Sequence, residues 1–167
     1  MRGHGAVFSE VQGWERPAWF APNGADPSYD HSFYRPSWFN HMLEEQQAVR
    51  KAAGLIDYSM LGKLMIEGRD AESFLQRVCT NEMSLPLGKV TYTLMLNPRG
   101  GIESDVTVAR HGTESFMMMS AISHTRRDRD YLKSMIQLGE NVHLRDVTSA
   151  FAVLALCGPM SREILSS

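Results

Sequence analysis

YTLMLNPRGGIESDVTVAR, residues 92–110, decides what kind of sheet this chain builds. Gly100-Gly101 is a turn signal between two runs of strand-favouring residues, and the pattern predicts an antiparallel hairpin over residues 90–110. Alternation along the second arm puts Ile102, Ser104, Val106 and Val108 on one face. Glu103, Asp105, Thr107 and Ala109 fall on the other. Two carboxylates two residues apart on the less apolar face read first as a face turned to water. Tyr92, Leu94 and Leu96 enter the same turn from the first arm, which leaves a second reading open. Apolar surface beside Asp105 would desolvate it, raise its pKa and make it a proton acceptor, and an ionised Glu103 would push the same way.

Outward from the hairpin, the elements alternate in kind. NHMLEEQQAVRKAAG predicts a helix with Met42, Val49 and Ala53 near one stripe and Gly54 as its stop. LGKLMIEG predicts a strand with Leu64 and Ile66 on one face. Asp70 is placed to cap AESFLQRVC, in which Phe74 and Val78 share a face. TNEMSLPLGK is a loop. SFMMMSA predicts a strand whose Met117-Met118-Met119 run reads as core or as pocket lining. Ser123 is expected to cap HTRRDRDYLKSMIQLG, with an apolar stripe of Tyr131, Met135 and Leu138. The self-compensating charges of that segment read as a solvated face. NVHLRDVTSAFAVLALCGP predicts two strands joined near Thr148-Ser149, and MSREILSS starts a helix. Short turns between neighbouring strands imply an α+β domain: an antiparallel sheet with helices on one face and ferredoxin-like split βαβ elements.

Residues 1–39 differ in kind. GWERPAWFAPNGADPSYDHSFYRPSWF holds all three tryptophans and four of the seven prolines without sustained periodicity. The prolines predict an extended arm, and the aromatics predict that it packs on a surface rather than staying disordered. The expected organisation is therefore an arm over 1–39 and a domain over 40–167.

Seventeen basic and nineteen acidic residues leave a net charge of −2, which gives no electrostatic case for nucleic acid or an anionic membrane. No apolar run approaches the roughly 18 residues of a membrane span. Cys79 and Cys157 belong to no CxxC pair; both are expected as buried free thiols, which suits a reducing compartment. The expected location is the cytoplasm if the source is bacterial and the mitochondrial matrix if it is eukaryotic. The histidines show no metal-ligand spacing, so no metal is assigned. No serine sits in a nucleophile elbow, and the Gly-Gly pair is not a phosphate loop because no helix follows it.

AVRKAAGLIDYSMLGKLMIEGRDAESFLQRV, the hairpin and FAVLALCGP together resemble the folate-binding aminomethyltransferase family, that of the glycine-cleavage T-protein. GLIDYS and MLNPRGGIESD are the most specific pieces, and the resemblance runs from about residue 43 to the end. The segment RGHG…GWERPAWF resembles the one that precedes this domain in dimethylglycine and sarcosine dehydrogenases, which are flavoproteins. The resemblance implies a tetrahydrofolate-binding, first-domain-like fragment of such an oxidoreductase. Asp105, which closes the Gly-Gly-hydrophobic-x-x-Asp pattern, is then the catalytic carboxylate beside the folate's bridging nitrogens. Tyr92, and with it Asn97, would line the folate site. A one-carbon unit would pass as an iminium from an N-methyl amine to tetrahydrofolate, with Asp105 taking a proton and stabilising positive charge.

The resemblance has departures. The family's complete domain is more than twice as long, so the folate site is expected to be incomplete within this chain. The T-protein usually has an asparagine near the position of Ala121, so one expected polar contact is missing. No dinucleotide fingerprint occurs, so FAD is assigned to the parent protein and the oxidation step is expected off this polypeptide. The expected partners are the missing flavoprotein and C-terminal folate-domain segments. A second implication comes from the regulatory subunit of the pyruvate dehydrogenase phosphatase, which resembles the same architecture. On that alternative the chain is a non-catalytic interaction module, with Trp14, Trp19 and Trp38 as docking anchors. Packing of those rings on the domain's own flank is the competing expectation.

Overall fold

The structure, a computed structural model, describes residues 1–167. In chain order its elements are β1 (Ala6–Val11), β2 (Trp14–Phe20), α1 (Phe39–Lys51), β3 (Gly54–Asp57), β4 (Gly62–Glu67), α2 (Ala71–Val78) and β5 (Val90–Leu96). They continue with β6 (Ile102–Gly112), β7 (Ser115–Ser120), α3 (Thr125–Met135), β8 (His143–Asp146), β9 (Leu154–Cys157) and α4 (Ser161–Ser166). The chain divides into two compact units. One comprises Met1–Met60 and Ala152–Ser167, and the other Leu61–Phe151. No helix is long and apolar enough to cross a membrane.

The second unit is a five-stranded antiparallel sheet in the order β5-β6-β7-β4-β8. β7 and β8 both run antiparallel to β4, which lies between them, so β7-α3-β8 is one split βαβ element of the expected kind. Phe74, Leu75 and Val78 of α2 and Leu132 of α3 join Leu64, Ile66, Val106, Val108, Phe116 and Met118 in a single buried cluster. These strand residues share one face by alternation, so both helices cover that face. Phe74 and Val78 stand together in the core as their spacing predicts. The methionine run splits: Met118 is fully buried, while Met117 and Met119 lie on the opposite face, half-buried.

Some expected element ends are displaced. Asp70 holds the N-cap position of α2 but makes no capping bond; its carboxylate accepts the Asn141 amide at 2.7 Å. Ser123 does not cap α3, because a 3-10 turn over Ile122–His124 intervenes and the helix opens at Thr125. Helix α3 stops at Met135, short of Gly139. Gly62 meets α3 closely: a Cβ there would fall 1.9 Å from Thr125 Oγ1.

In the first unit, residues 6–20 of the expected extended arm form a hairpin. β1 pairs with β2 through a two-residue turn, Gln12-Gly13, with φ of 54° and 81°. Two positive φ angles are what a type I′ turn requires, so the Gln-Gly pair was a hairpin signal. Pro17 does not break β2 because it sits where the register shifts between Val7 and Phe8, as proline in a strand must. Residues 21–38 carry no helix or strand. Trp19 is 1% exposed and stacks on His41 with centroids 5.4 Å apart. Trp38 packs against Tyr29 at 5.1 Å. These two rings therefore pack within their own unit.

Helix α1 buries Met42 and Val49 only partly and ends at Lys51; Gly54, expected as its stop, opens β3 instead. β3 pairs with β9 in a separate two-stranded sheet, so the two strands expected around Thr148 belong to different sheets. Cys79 is buried, but Cys157, expected buried as well, is exposed at the end of β9, a strand whose only neighbour is β3.

Candidate functional site

The hairpin of β5 and β6 forms as predicted, and Asn97 shapes its turn. The Asn97 side-chain oxygen accepts the amides of Arg99 and Gly101, each at 3.0 Å, while the Asn97 backbone N–H donates to the Gly101 carbonyl at 2.9 Å. An asparagine side chain that bonds the backbone two residues on mimics a further turn of chain. Gly100 takes φ 78°, and a Cβ on Gly101 would come within 2.9 Å of Asn97 Nδ2. The Gly-Gly pair is thus required twice, once for conformation and once for space. That Nδ2 also donates to Glu103 Oε1 at 2.9 Å. Asn97, expected to line the folate site, has its side chain committed to the turn.

Register then departs from simple alternation. Met95 pairs with Ser104 and Leu96 with Ile102, which leaves Glu103 as an extra residue on β6. This is a β-bulge. Beyond it Ser104, Val106 and Val108 are buried as predicted, but Ile102, expected on the core face, is 65% exposed. The two carboxylates expected side by side make different contacts: Glu103 with Asn97, Asp105 with Tyr92.

Asp105 is directly opposite Leu94, and the phenol of Tyr92 donates to its Oδ2 at 3.2 Å. The hydrogen bond to Asp105, and then the charge of that carboxylate, push the Tyr92 pKa above its ordinary value. Tyr92 and Asp105 are thus brought together, on the face that also carries Leu94, Thr107 and Met119, the partner of Thr107. Both are exposed, because β5 is the edge strand and neither helix covers this side of the sheet. The apolar neighbours of the hairpin therefore do not bury Asp105.

Sequence reasoning missed what lies behind this face. Asp128, read as part of a solvated surface, is 1% exposed and accepts the Ser104 hydroxyl at 3.0 Å. Tyr131 donates its hydroxyl to the Leu96 carbonyl at 2.7 Å, and Arg127 donates to the Glu103 carbonyl. Burial, and then the nearby Glu103 carboxylate, raise the Tyr131 pKa. The available signal was the spacing of Thr125, Asp128 and Leu132, three and four residues apart on one helical face.

Comparison with known proteins agrees with this architecture. The family model described as the GCVT N-terminal domain matches residues 1–167. A 4-methylaminobutanoate oxidase (formaldehyde-forming) of Paenarthrobacter nicotinovorans is 38% identical over 162 residues, which cover 97% of this chain and 20% of the oxidase. Mitochondrial dimethylglycine dehydrogenase of Rattus norvegicus is 31% identical over 154 residues, covering 92% of this chain and 18% of the enzyme. The chain thus spans about a fifth of the length of these relatives. Among solved structures, the glycine cleavage system aminomethyltransferase T of Bartonella henselae superposes with a TM-score of 0.73 at 24% identity, over 99% of this chain and 40% of that one. The shared fold, the family model's span and these identities lead to one conclusion: the chain belongs to the GCVT N-terminal domain family.

Proposed function

We propose that this chain is the leading part of a tetrahydrofolate-binding one-carbon transfer domain in a dimethylglycine or sarcosine dehydrogenase-like enzyme. The observation that carries the proposal is the Tyr92–Asp105 contact at the exposed β5–β6 end of the sheet. The donor set fits such a ligand: an exposed carboxylate can accept an amine N–H, with a phenol beside it and Leu94 and Met119 for a ring to lie against. When bound, tetrahydrofolate supplies the amine nitrogens that take up the one-carbon unit.

The roles of the chain's own residues follow from their geometry. Asp105 accepts a proton at a carboxylate oxygen and offsets positive charge developing next to it. Tyr92 holds Oδ2 through its O–H, which fixes the carboxylate's rotation and leaves Oδ1 for the ligand. Since both side chains are exposed here, further cover to exclude water from a reactive iminium would come from the rest of the longer protein. The flavin-dependent oxidation of the amine likewise belongs to another part of it.

The test uses the full-length protein that carries this segment. Asp105→Asn is expected to lower methylene transfer to tetrahydrofolate by about 10²–10⁴-fold, the usual worth of a positioned general base. Amine oxidation, followed by reduction of an electron acceptor, should continue. Loss of both activities in a folded variant, or transfer at the wild-type rate, would refute the assignment.

A further inference from the structure

We propose that Asp128 is a positioning residue: through Ser104, and with Arg127 and Tyr131 from the same helix, it holds the β5–β6 hairpin in the bulged register from which Asp105 leaves the sheet beside Tyr92. The inference rests on the role given to Asp105 above and adds the device that aims it.

The register needs holding. Side chains alternate along a strand, so a slip of one residue would carry Asp105 to the helix side and bring Ser104 or Val106 out. A bulge also disrupts the ladder locally and leaves backbone groups in want of partners. Helix α3 supplies partners on both sides of the irregularity. Arg127 takes the carbonyl of Glu103, the extra residue itself, and Tyr131 takes the carbonyl of Leu96, the residue opposite. Positions 127, 128 and 131 lie within about one turn of helix, so a single rigid element addresses both strands.

Asp128 completes the brace. Ser104 is the first residue after the bulge, is 4% exposed, and points its hydroxyl at Asp128 Oδ2. The other carboxylate oxygen faces Arg127 at 3.4 Å. A carboxylate taken out of water is costly unless paired, and an apolar residue of similar size would sit under a sheet at lower cost. A carboxylate there instead gives Ser104 one orientation. Since neighbours on a strand point to opposite faces, anchoring Ser104 inward sends Asp105 outward.

The experiment reads the Tyr92–Asp105 contact directly, by ring-¹³C NMR titration of Tyr92 in the 167-residue chain and its variants. In Ser104→Ala and Asp128→Ala the Tyr92 pKa should fall back towards that of an ordinary tyrosine. Asp128→Asn, which keeps the volume and an acceptor for Ser104, should hold it near the wild-type value. An unchanged Tyr92 titration in folded Ser104→Ala and Asp128→Ala would overturn the proposal. If Asp128→Ala does not fold, Ser104→Ala decides, since it removes a single hydroxyl. In the full-length protein the same two variants should lower the transfer kcat by about 10–100-fold with little change in KM, as a misplaced catalytic group does. A shifted Tyr92 with wild-type transfer would support the brace and count against the chemical role of Asp105, so the two ideas fail separately.

Discussion

Replacing Cys79 by alanine should weaken the protein at neutral pH and strengthen it in alkali. Cys79 closes helix α2, is 8% exposed, and is joined by an isolated bridge to Met95 of β5. Burial pushes its thiol from 9.0 up to about 12. The sign follows from which state ionises first. The unfolded chain loses the proton near pH 9 while the folded chain keeps it, so the stability carried by the neutral thiol is intact below pH 9 and drains away as the pH climbs towards 12. Each tenfold difference in proton affinity is worth about 1.4 kcal/mol, so the loss is about 2 kcal/mol at pH 10.5 and about 4 kcal/mol once the folded thiol titrates. Removing the buried sulfur costs about 1 kcal/mol at pH 7.5, comparable to one buried methylene. Cys79→Ala should therefore be about 1 kcal/mol less stable than the parent at pH 7.5 and about 1 kcal/mol more stable at pH 10.5. Urea unfolding of both proteins at the two pH values gives the difference from the midpoints at constant slope. Tyr92 and Tyr131, whose pKa values are also raised, lose stability in the same alkaline range but do so in both proteins and cancel. A difference between the two proteins that is the same at both pH values would refute the reasoning.

Two structural predictions follow from other contacts. Arg110 pairs with Glu72 at 2.6 Å and donates to the carbonyls of Leu85 and Thr113, pinning the loop after α2 and the β6–β7 turn to the sheet. Arg110→Met should cost about 2–3 kcal/mol, discounted because Glu72 is partly in solvent, and Arg110→Lys should recover less than half because an ammonium cannot reproduce the guanidinium fork. Denaturant midpoints check it, and a lysine variant equal to the parent would contradict it. Gly62→Ala drives a methyl into Thr125 and should cost about 1–3 kcal/mol, with partial recovery when Thr125→Ala removes the nearest atom. An unchanged midpoint would show that α3 yields freely at its start.

The part of this protein legible in its sequence is the part governed by neighbours along the chain. Alternation assigned Ser104, Val106 and Val108 to the core and Asp105 to the opposite face, and helical spacing paired Phe74 with Val78. The Gly-Gly turn announced the hairpin, and GLIDYS with MLNPRGGIESD carried the family resemblance. Even the hairpin at Gln12-Gly13 was written locally, although proline and aromatic content hid it. What the tertiary structure alone decided are relations between distant residues. The bulge at Glu103 breaks the period-two rule and sends Ile102 outward, because Arg127, Asp128 and Tyr131, more than twenty residues on, hold the backbone there. β3 finds its partner β9 across most of the chain, and the same charged helix that reads as a solvated face buries a carboxylate beneath the sheet. Local patterns set which face a side chain prefers, but hydrogen bonds made across the fold set the register from which that face is counted.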